Sequence, residues 1–256
     1  MTEDLIIQRD GDIVHATFNR PAQRNALTFE MYEALAALCD DPGQGGDQPR
    51  AMIISGEGGA FAAGTDMTQF RAFEKPEDGW AYEETMDKIM GRIERCRIPT
   101  IAAITGACTG GGAAIAACCD LRITNERLKF GFPIARTLGN CLSIASLSRL
   151  SSLIGQGRVR EMIFTSRLVL ADEALTLGLV MEISEDPIAR AKELATQLSG
   201  HAPITMRVTK EGLRRLRTEG PDADDHDLVE QAYMSEDFKE GMEAFLGKRK
   251  PVFKGR

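Results

Sequence analysis

At 256 residues, with 43% apolar and 27% charged content, the chain suits one large domain or one and a half and can bury a sizeable core. A net charge of −7 argues against a general nucleic-acid partner, since binding a phosphate backbone needs a basic face. Met1-Thr2-Glu3-Asp4 carries no apolar leader, and no stretch approaches the roughly 20 apolar residues that cross a bilayer; the expectation is a cytoplasmic protein with no membrane partner.

The N-terminal residues alternate apolar and polar on either side of Gly11-Asp12, from Leu5-Ile6-Ile7 to Ile13-Val14-His15-Ala16-Thr17-Phe18, which predicts a β-hairpin. Thr28 is placed to cap a helix whose apolar positions are Phe29, Met31, Tyr32, Leu35, Ala36 and Leu38. A Gly-rich loop over 41–47 leads to Ala51-Met52-Ile53-Ile54-Ser55, a short apolar run bounded by glycine and therefore a buried strand. Ile101-Ala102-Ala103-Ile104 and Leu121-Arg122-Ile123-Thr124 read the same way. Helices are predicted over 77–95, 110–118, 143–154, 156–164 and 171–177, and the pattern is helical throughout from about residue 187. The result is a mixed α/β core over 1–200 and a helical C-terminal region over 201–256.

Cysteines 39, 96, 108, 118, 119 and 141 lie in apolar or Gly-rich settings without paired metal spacing, so reduced, mostly buried thiols are expected and no metal. Cys118 and Cys119 would point to opposite faces if their segment were a strand. His15, His201 and His226 fall in a strand, a loop and an acidic helix start, away from the motifs below.

Two Gly-rich segments could each aim a backbone N–H at the same developing oxyanion: Phe61-Ala62-Ala63-Gly64-Thr65-Asp66-Met67 and Gly106-Ala107-Cys108-Thr109-Gly110-Gly111-Gly112. A thioester becomes acidic at its α-carbon only when charge arriving on the carbonyl oxygen is stabilised, and two preorganised backbone N–H groups do this. The second segment opens an apolar helix, where N–H groups are free and the helix dipole favours negative charge. The string from Thr105 to Gly112 also fits the dinucleotide fingerprint of short-chain dehydrogenases. It begins far from the N-terminus, however, and no Tyr-x-x-x-Lys follows, since Tyr233 is followed at the fourth position by Asp237.

From residue 5 to residue 253 the sequence resembles the enoyl-CoA hydratase/isomerase (crotonase) superfamily. The matching pieces include Asn19-Arg20-Pro21, Asn25-Ala26-Leu27, Pro99-Thr100-Ile101, Cys119-Asp120-Leu121, Phe130-Gly131-Phe132-Pro133, Ala171-Asp172-Glu173-Ala174 and the stretch from Glu240 to Pro251. The resemblance implies a spiral of ββα units with a helical C-terminal trimerisation region, assembled as a homotrimer or a dimer of trimers. It implies an acyl-CoA substrate, with the coenzyme A thioester as substrate rather than cofactor. The backbone N–H groups of Thr65 and Gly111 would form an oxyanion hole. Arg24, Ala26, Ala63, Asp66 and Met67 would line the CoA and thioester path, with Gly110, Ala114, Pro133, Ile134 and Leu138 as further substrate- or CoA-binding positions. The cationic stretches 207–217 and 248–250 could contact CoA phosphates or form solvated helix faces.

One departure stands out. The two glutamates that hold and activate water in hydratases of this family fall, position by position, on Ala114 and Ile134. Hydration by the two-glutamate route is therefore not expected. Asn140 and Cys141 are the substitute catalytic candidates, Arg136 could pair a substrate carboxylate, and Asp66, Glu74, Glu77, Asp78, Glu83, Glu84 and Asp87 are the remaining acids. Isomerase or atypical lyase or hydrolase chemistry is favoured; the alternative is a catalytically silent acyl-CoA-binding protein or partner subunit.

Overall fold

The computed structural model describes residues 3–71 and 73–256. Strands β1 (Leu5–Asp10) and β2 (Ile13–Phe18) form the expected antiparallel hairpin, with Leu5 opposite Phe18. Thr28 caps α1 (Phe29–Asp40), its hydroxyl accepting from the Met31 N–H at 3.2 Å. Then come β3 (Ala51–Gly56), α2 (Pro76–Glu94), β4 (Thr100–Ile104), β5 (Ala107–Thr109), α3 (Gly111–Cys118), β6 (Leu121–Thr124) and β7 (Lys129–Gly131). A single turn, α4 (Ile134–Thr137), leads to α5 (Ile144–Thr165), α6 (Ala171–Thr176) and β8 (Glu182–Ile183). Helices α7 (Pro187–Ser199), α8 (Pro203–Glu219), α9 (His226–Tyr233) and α10 (Glu236–Leu246) complete the chain, and no helix of the described residues is long and apolar enough to cross a membrane.

Six strands form the main sheet in the order β1-β2-β3-β4-β6-β8, and every pairing after the hairpin is parallel. Parallel neighbours require crossover connections, which is why helices cover both faces. The alternation of the strands sorts the core. Met52, Ile54, Ala102 and Ile104 face the large core under α1, α2 and α3, whereas Ala51, Ile53, Ile101, Ala103 and Ile123 face Ala191, Leu194 and Ala195 of α7. A strand buried on both faces has no polar side, so β3 reads as an unbroken apolar run. A second, two-stranded parallel sheet pairs β5 with β7, in register from Ala107 opposite Lys129 to Thr109 opposite Gly131.

The predicted helices 143–154 and 156–164 both form, as the two halves of α5 on either side of a kink at Gly155 (φ 76°, ψ 151°), a conformation glycine adopts without Cβ strain. Cys118 and Cys119 end a helix rather than lie in a strand, and the Cys119 N–H donates to the Ile115 carbonyl at 3.2 Å.

Much of the basic C-terminal surface is paired within the chain. Lys210 reaches Asp120 at 2.6 Å and the Ile98 carbonyl at 2.9 Å, Arg217 reaches Glu94 at 2.5 Å, and Arg215 bridges Glu211 and Asp227 at 2.9 and 2.6 Å. Arg249 is held by Glu240 at 2.5 Å.

Arg122 ties the sheet to the helices behind it. Only 7% exposed, it donates to the carbonyls of Leu179 (2.6 Å), Cys119 (2.6 Å) and Ala116 (3.2 Å), so one guanidinium satisfies the end of α3 and the chain leading to β8. Arg122→Met would leave those carbonyls without a donor, at roughly 1–3 kcal/mol for each that water cannot reach. A loss of about 3 kcal/mol is expected, read as a lower urea midpoint at fixed protein concentration; an unchanged midpoint would show that the carbonyls find other donors.

Candidate active site

The site is assembled by β5. On one edge Ala62 bridges Cys108, with the Ala62 N–H donating to the Ala107 carbonyl (3.1 Å) and the Thr109 N–H to the Ala62 carbonyl (3.0 Å). On the other, the Gly110 N–H donates to the Gly131 carbonyl of β7 (2.9 Å). The chain turns at Gly110 (φ 52°) directly into α3, laying the first turn of that helix against the 61–65 segment. Glycine is required there for space. A methyl on Gly112 would stand 2.4 Å from the Ala62 carbonyl oxygen, and one on Gly111 would stand 1.6 Å from Tyr32 Oη and 3.1 Å from Thr65 Oγ1.

The orientation of Thr65 follows from its bridge to Leu27. The Leu27 N–H donates to the Gly64 carbonyl and the Asp66 N–H to the Leu27 carbonyl, both at 2.8 Å. In a parallel bridge the residue between those two bonds points its own N–H the other way. Gly111 is the first residue of α3, where an N–H has no intrahelical acceptor and lies at the positive end of the helix dipole. Among the described residues, neither N–H has a protein acceptor. Both residues line one cavity of about 310 Å³.

Of the positions singled out in the sequence, Thr65, Gly111, Ala63, Met67, Gly110, Ala114, Pro133, Ile134, Leu138, Asn140, Cys141 and, from the candidate acids, Glu83 all line this cavity. Arg24, Ala26, Asp66 and Arg136 do not. Arg24 is exposed and touches the site through its carbonyl, which accepts from the Ala63 N–H at 3.0 Å. The Ala26 carbonyl accepts from Arg20 Nη1 at 2.6 Å. The Asp66 carboxylate caps the 3₁₀ turn Met67–Phe70, accepting from the Thr68 N–H (3.1 Å), the Thr68 hydroxyl (2.8 Å) and Arg20 (3.0 Å); these bonds hold its pKa below the usual carboxylate range. Asp66 is thus engaged in holding the loop.

Several lining residues were not singled out from the sequence. Tyr32 Oη lies 2.9 Å from Thr65 Oγ1, which lies 3.4 Å from Tyr82 Oη, and burial raises both phenols above their usual range. Tyr32 was read only as a core position of α1, because helical periodicity shows which face is inward and not which polar tip reaches a loop 33 residues away. Rings of Phe29, Phe70 and Tyr82 pack with centroids 4.9–6.4 Å apart and hold the 3₁₀ turn between α1 and α2. Among the described residues, Glu83 is the sole carboxylate in the lining.

A family model described as enoyl-CoA hydratase/isomerase matches residues 8–256. The chain belongs to the enoyl-CoA hydratase/isomerase family. It is 31% identical over 253 residues to the short-chain-enoyl-CoA hydratase of Clostridium acetobutylicum, covering 96% of each chain. It is also 31% identical over 268 residues to the crotonyl-CoA hydratase of Syntrophomonas wolfei, covering 98% of each. Among solved structures, one described as an enoyl-CoA hydratase/carnithine racemase from Magnetospirillum magneticum superimposes with a TM-score of 0.89 at 31% identity, covering 100% of this chain and 97% of the other. The fold is that of the crotonase superfamily, and the protein is an acyl-CoA-processing enzyme of this family.

Cys141 is exposed on the cavity wall, whereas Cys39, Cys96, Cys108, Cys118 and Cys119 are buried, and burial pushes the Cys118 thiol up to about 12. A thiolate is the reactive form. With a chromogenic disulfide reagent, one of the six thiols should react rapidly in the native enzyme and all six after denaturation, and Cys141→Ala should remove the rapid phase. A second rapid thiol in the native protein would contradict the burial of the other five.

Proposed function

We propose that this enzyme binds an acyl-CoA thioester with its carbonyl oxygen between the Thr65 and Gly111 N–H groups and stabilises the enolate formed there. The observation that carries the reading is the convergence of two N–H groups without protein acceptors on one cavity. A donor of this kind typically contributes ~10²–10³ in rate. The pantetheine arm would enter past Ala63 and Met67, with the acyl chain along Ala114, Pro133, Ile134 and Leu138. These residues are apolar, as an acyl chain requires.

Ala114 and Ile134 stand where the resemblance sets the two hydratase glutamates, and neither side chain moves a proton. Groups that act as a unit fail together, so removing both leaves little of a two-glutamate hydration. The chemistry that suits this cavity uses one proton-transferring group: a shift of the double bond between the 2,3 and 3,4 positions. The relatives named as hydratases belong to the same family, and on this reading the reaction of this chain departs from hydration.

The test is crotonyl-CoA incubated with the pure enzyme in D₂O and followed by mass spectrometry. Deuterium should enter the acyl chain without addition of water across the double bond. Gly111→Ala, whose methyl displaces the start of α3, should slow that exchange by ~10²-fold or more. Efficient hydration would overturn the reading, and a chain that binds the thioester without exchanging any proton would be the silent binder.

We also propose that the C-terminal helices assemble the protein into a trimer or a dimer of trimers. Phe245 is 84% exposed, Leu246 74% and Met234 71%, which leaves a large apolar face in water unless another copy covers it. Light scattering should give a mass three or six times that of the chain, reduced by Phe245→Glu. A monomer at micromolar concentration would sink this assembly.

A further inference from the structure

We infer that Glu83 is the proton-transferring group of this cavity, a role carried in this chain by α2 rather than by the two positions now occupied by Ala114 and Ile134. The inference rests on the enolate-stabilising reading above.

The cavity lining narrows the choice. Its titratable side chains, among the described residues, are Tyr32, Tyr82, Glu83 and Cys141. The two phenols hold their protons across the neutral range, because burial raises both, and both sit beside the Thr65 hydroxyl. Between a thiol and a carboxylate, only the carboxylate on α2 is half-buried, on a helix held by the aromatic packing around Tyr82; Cys141 is exposed on a loop. The other acids that the sequence offered do not line the cavity. Glu74, Glu77 and Glu84 are exposed, Asp78 caps the start of α2, accepting from the Glu74 and Lys75 N–H groups, and Asp87 accepts from the Ser143 hydroxyl at 2.5 Å.

The surroundings tune this carboxyl for the task. Burial is the largest influence raising its pKa, and the Asp87 charge one turn further along α2 raises it again. The Ser143 N–H, at the start of α5, pulls the other way. Arg149 of α5 is engaged by Glu94 at 3.0 Å, and Tyr32, Tyr82 and Cys141 are the remaining titratable groups in the lining among the described residues. A carboxyl lifted above the ordinary glutamate value is a better base when ionised and a better acid once protonated, which is what a group that takes and returns the same proton needs.

The step balances without a co-reactant. Glu83, as carboxylate, takes the proton from C2 of a 3-enoyl thioester. The C–H electron pair moves into the thioester, and the negative charge comes to rest on the carbonyl oxygen between the Thr65 and Gly111 N–H groups. The protonated carboxyl then returns the proton at C4, the double bond moves to the 2,3 position, and Glu83 is a carboxylate again.

The experiment compares wild type, Glu83→Gln, Glu83→Asp and the exposed control Glu84→Gln, with butyryl-CoA in D₂O for α-proton exchange and 3-hexenoyl-CoA for isomerisation. Thermal melting and titration with butyryl-CoA establish that each variant folds and binds. Glu83→Gln should lose ~10²–10⁴-fold in both reactions while still binding the thioester, with Glu83→Asp partly restored and Glu84→Gln at the wild-type rate. The base must be ionised, so the wild-type rate should fall on acidification at a pH above the ordinary glutamate range, and this limb should vanish in Glu83→Gln. Wild type that exchanges while Glu83→Gln exchanges equally well overturns the assignment alone. Loss of exchange on Cys141→Ser with Glu83→Gln unaffected gives the proton to the thiol and also overturns it. A wild type that binds butyryl-CoA but exchanges nothing overturns the assignment and the enolate reading together.

Discussion

The close approach of α3 to the 61–65 segment is the constraint on which the site depends. Gly112 packs against the Ala62 carbonyl and Gly111 against Tyr32 Oη, at separations where a Cβ would overlap existing atoms. The approach is imposed from both sides, by the bridge of Ala62 to β5 and by the bridge of Thr65 to Leu27. The second pairing uses the Gly64 carbonyl and the Asp66 N–H on either side of Thr65 and leaves the Thr65 N–H without a protein acceptor. Backbone geometry, rather than any catalytic side chain, thereby generates a two-donor cradle, and its rigidity comes from strand pairing.

Around that cradle the polar side chains divide into holders and reachers. Asp66, Arg20 and Asn25 hold the loops: Asn25 is fully buried, accepts from the Arg20 N–H at 2.8 Å and donates to the Glu57 and Ala60 carbonyls at 2.9 and 2.7 Å. Tyr32, Thr65 and Tyr82 form a short chain of hydroxyls along the cavity wall. Glu83 is the carboxylate in the lining among the described residues, and it is carried by the 19-residue helix α2, whereas Asn140 lies in the loop between α4 and α5.

The same logic explains why one family frame can host different reactions. On the proposed reading the oxyanion donors belong to the main chain, so changing Ala114 or Ile134 would leave the cradle intact and alter only what can move a proton nearby. Acid–base groups can therefore relocate among the elements that wall the cavity, here α2, α3, α4 and the start of α5, without rebuilding the fold.

The hairpin, α1 with its Thr28 cap, β3, β4, β6 and the helical C-terminal region were legible in the sequence, because period-two and helical patterns and capping residues act locally. The ordered motifs likewise pointed to the family and to Thr65, Gly111, Ala114 and Ile134. The short strands β5, β7 and β8 were not legible, since two or three residues carry no periodicity and exist only through their partners. The two halves of α5 were legible, because Gly155 marks the kink between them. Sequence could not choose among the acids of 74–87: on a helix with many carboxylates, the turn that faces a cavity is decided by how α2 packs against α1 and α3. Tertiary structure alone set Glu83, Tyr32 and Tyr82 on the same cavity as the two free N–H groups, because proximity between residues far apart in the chain is a property of packing, which local sequence does not encode.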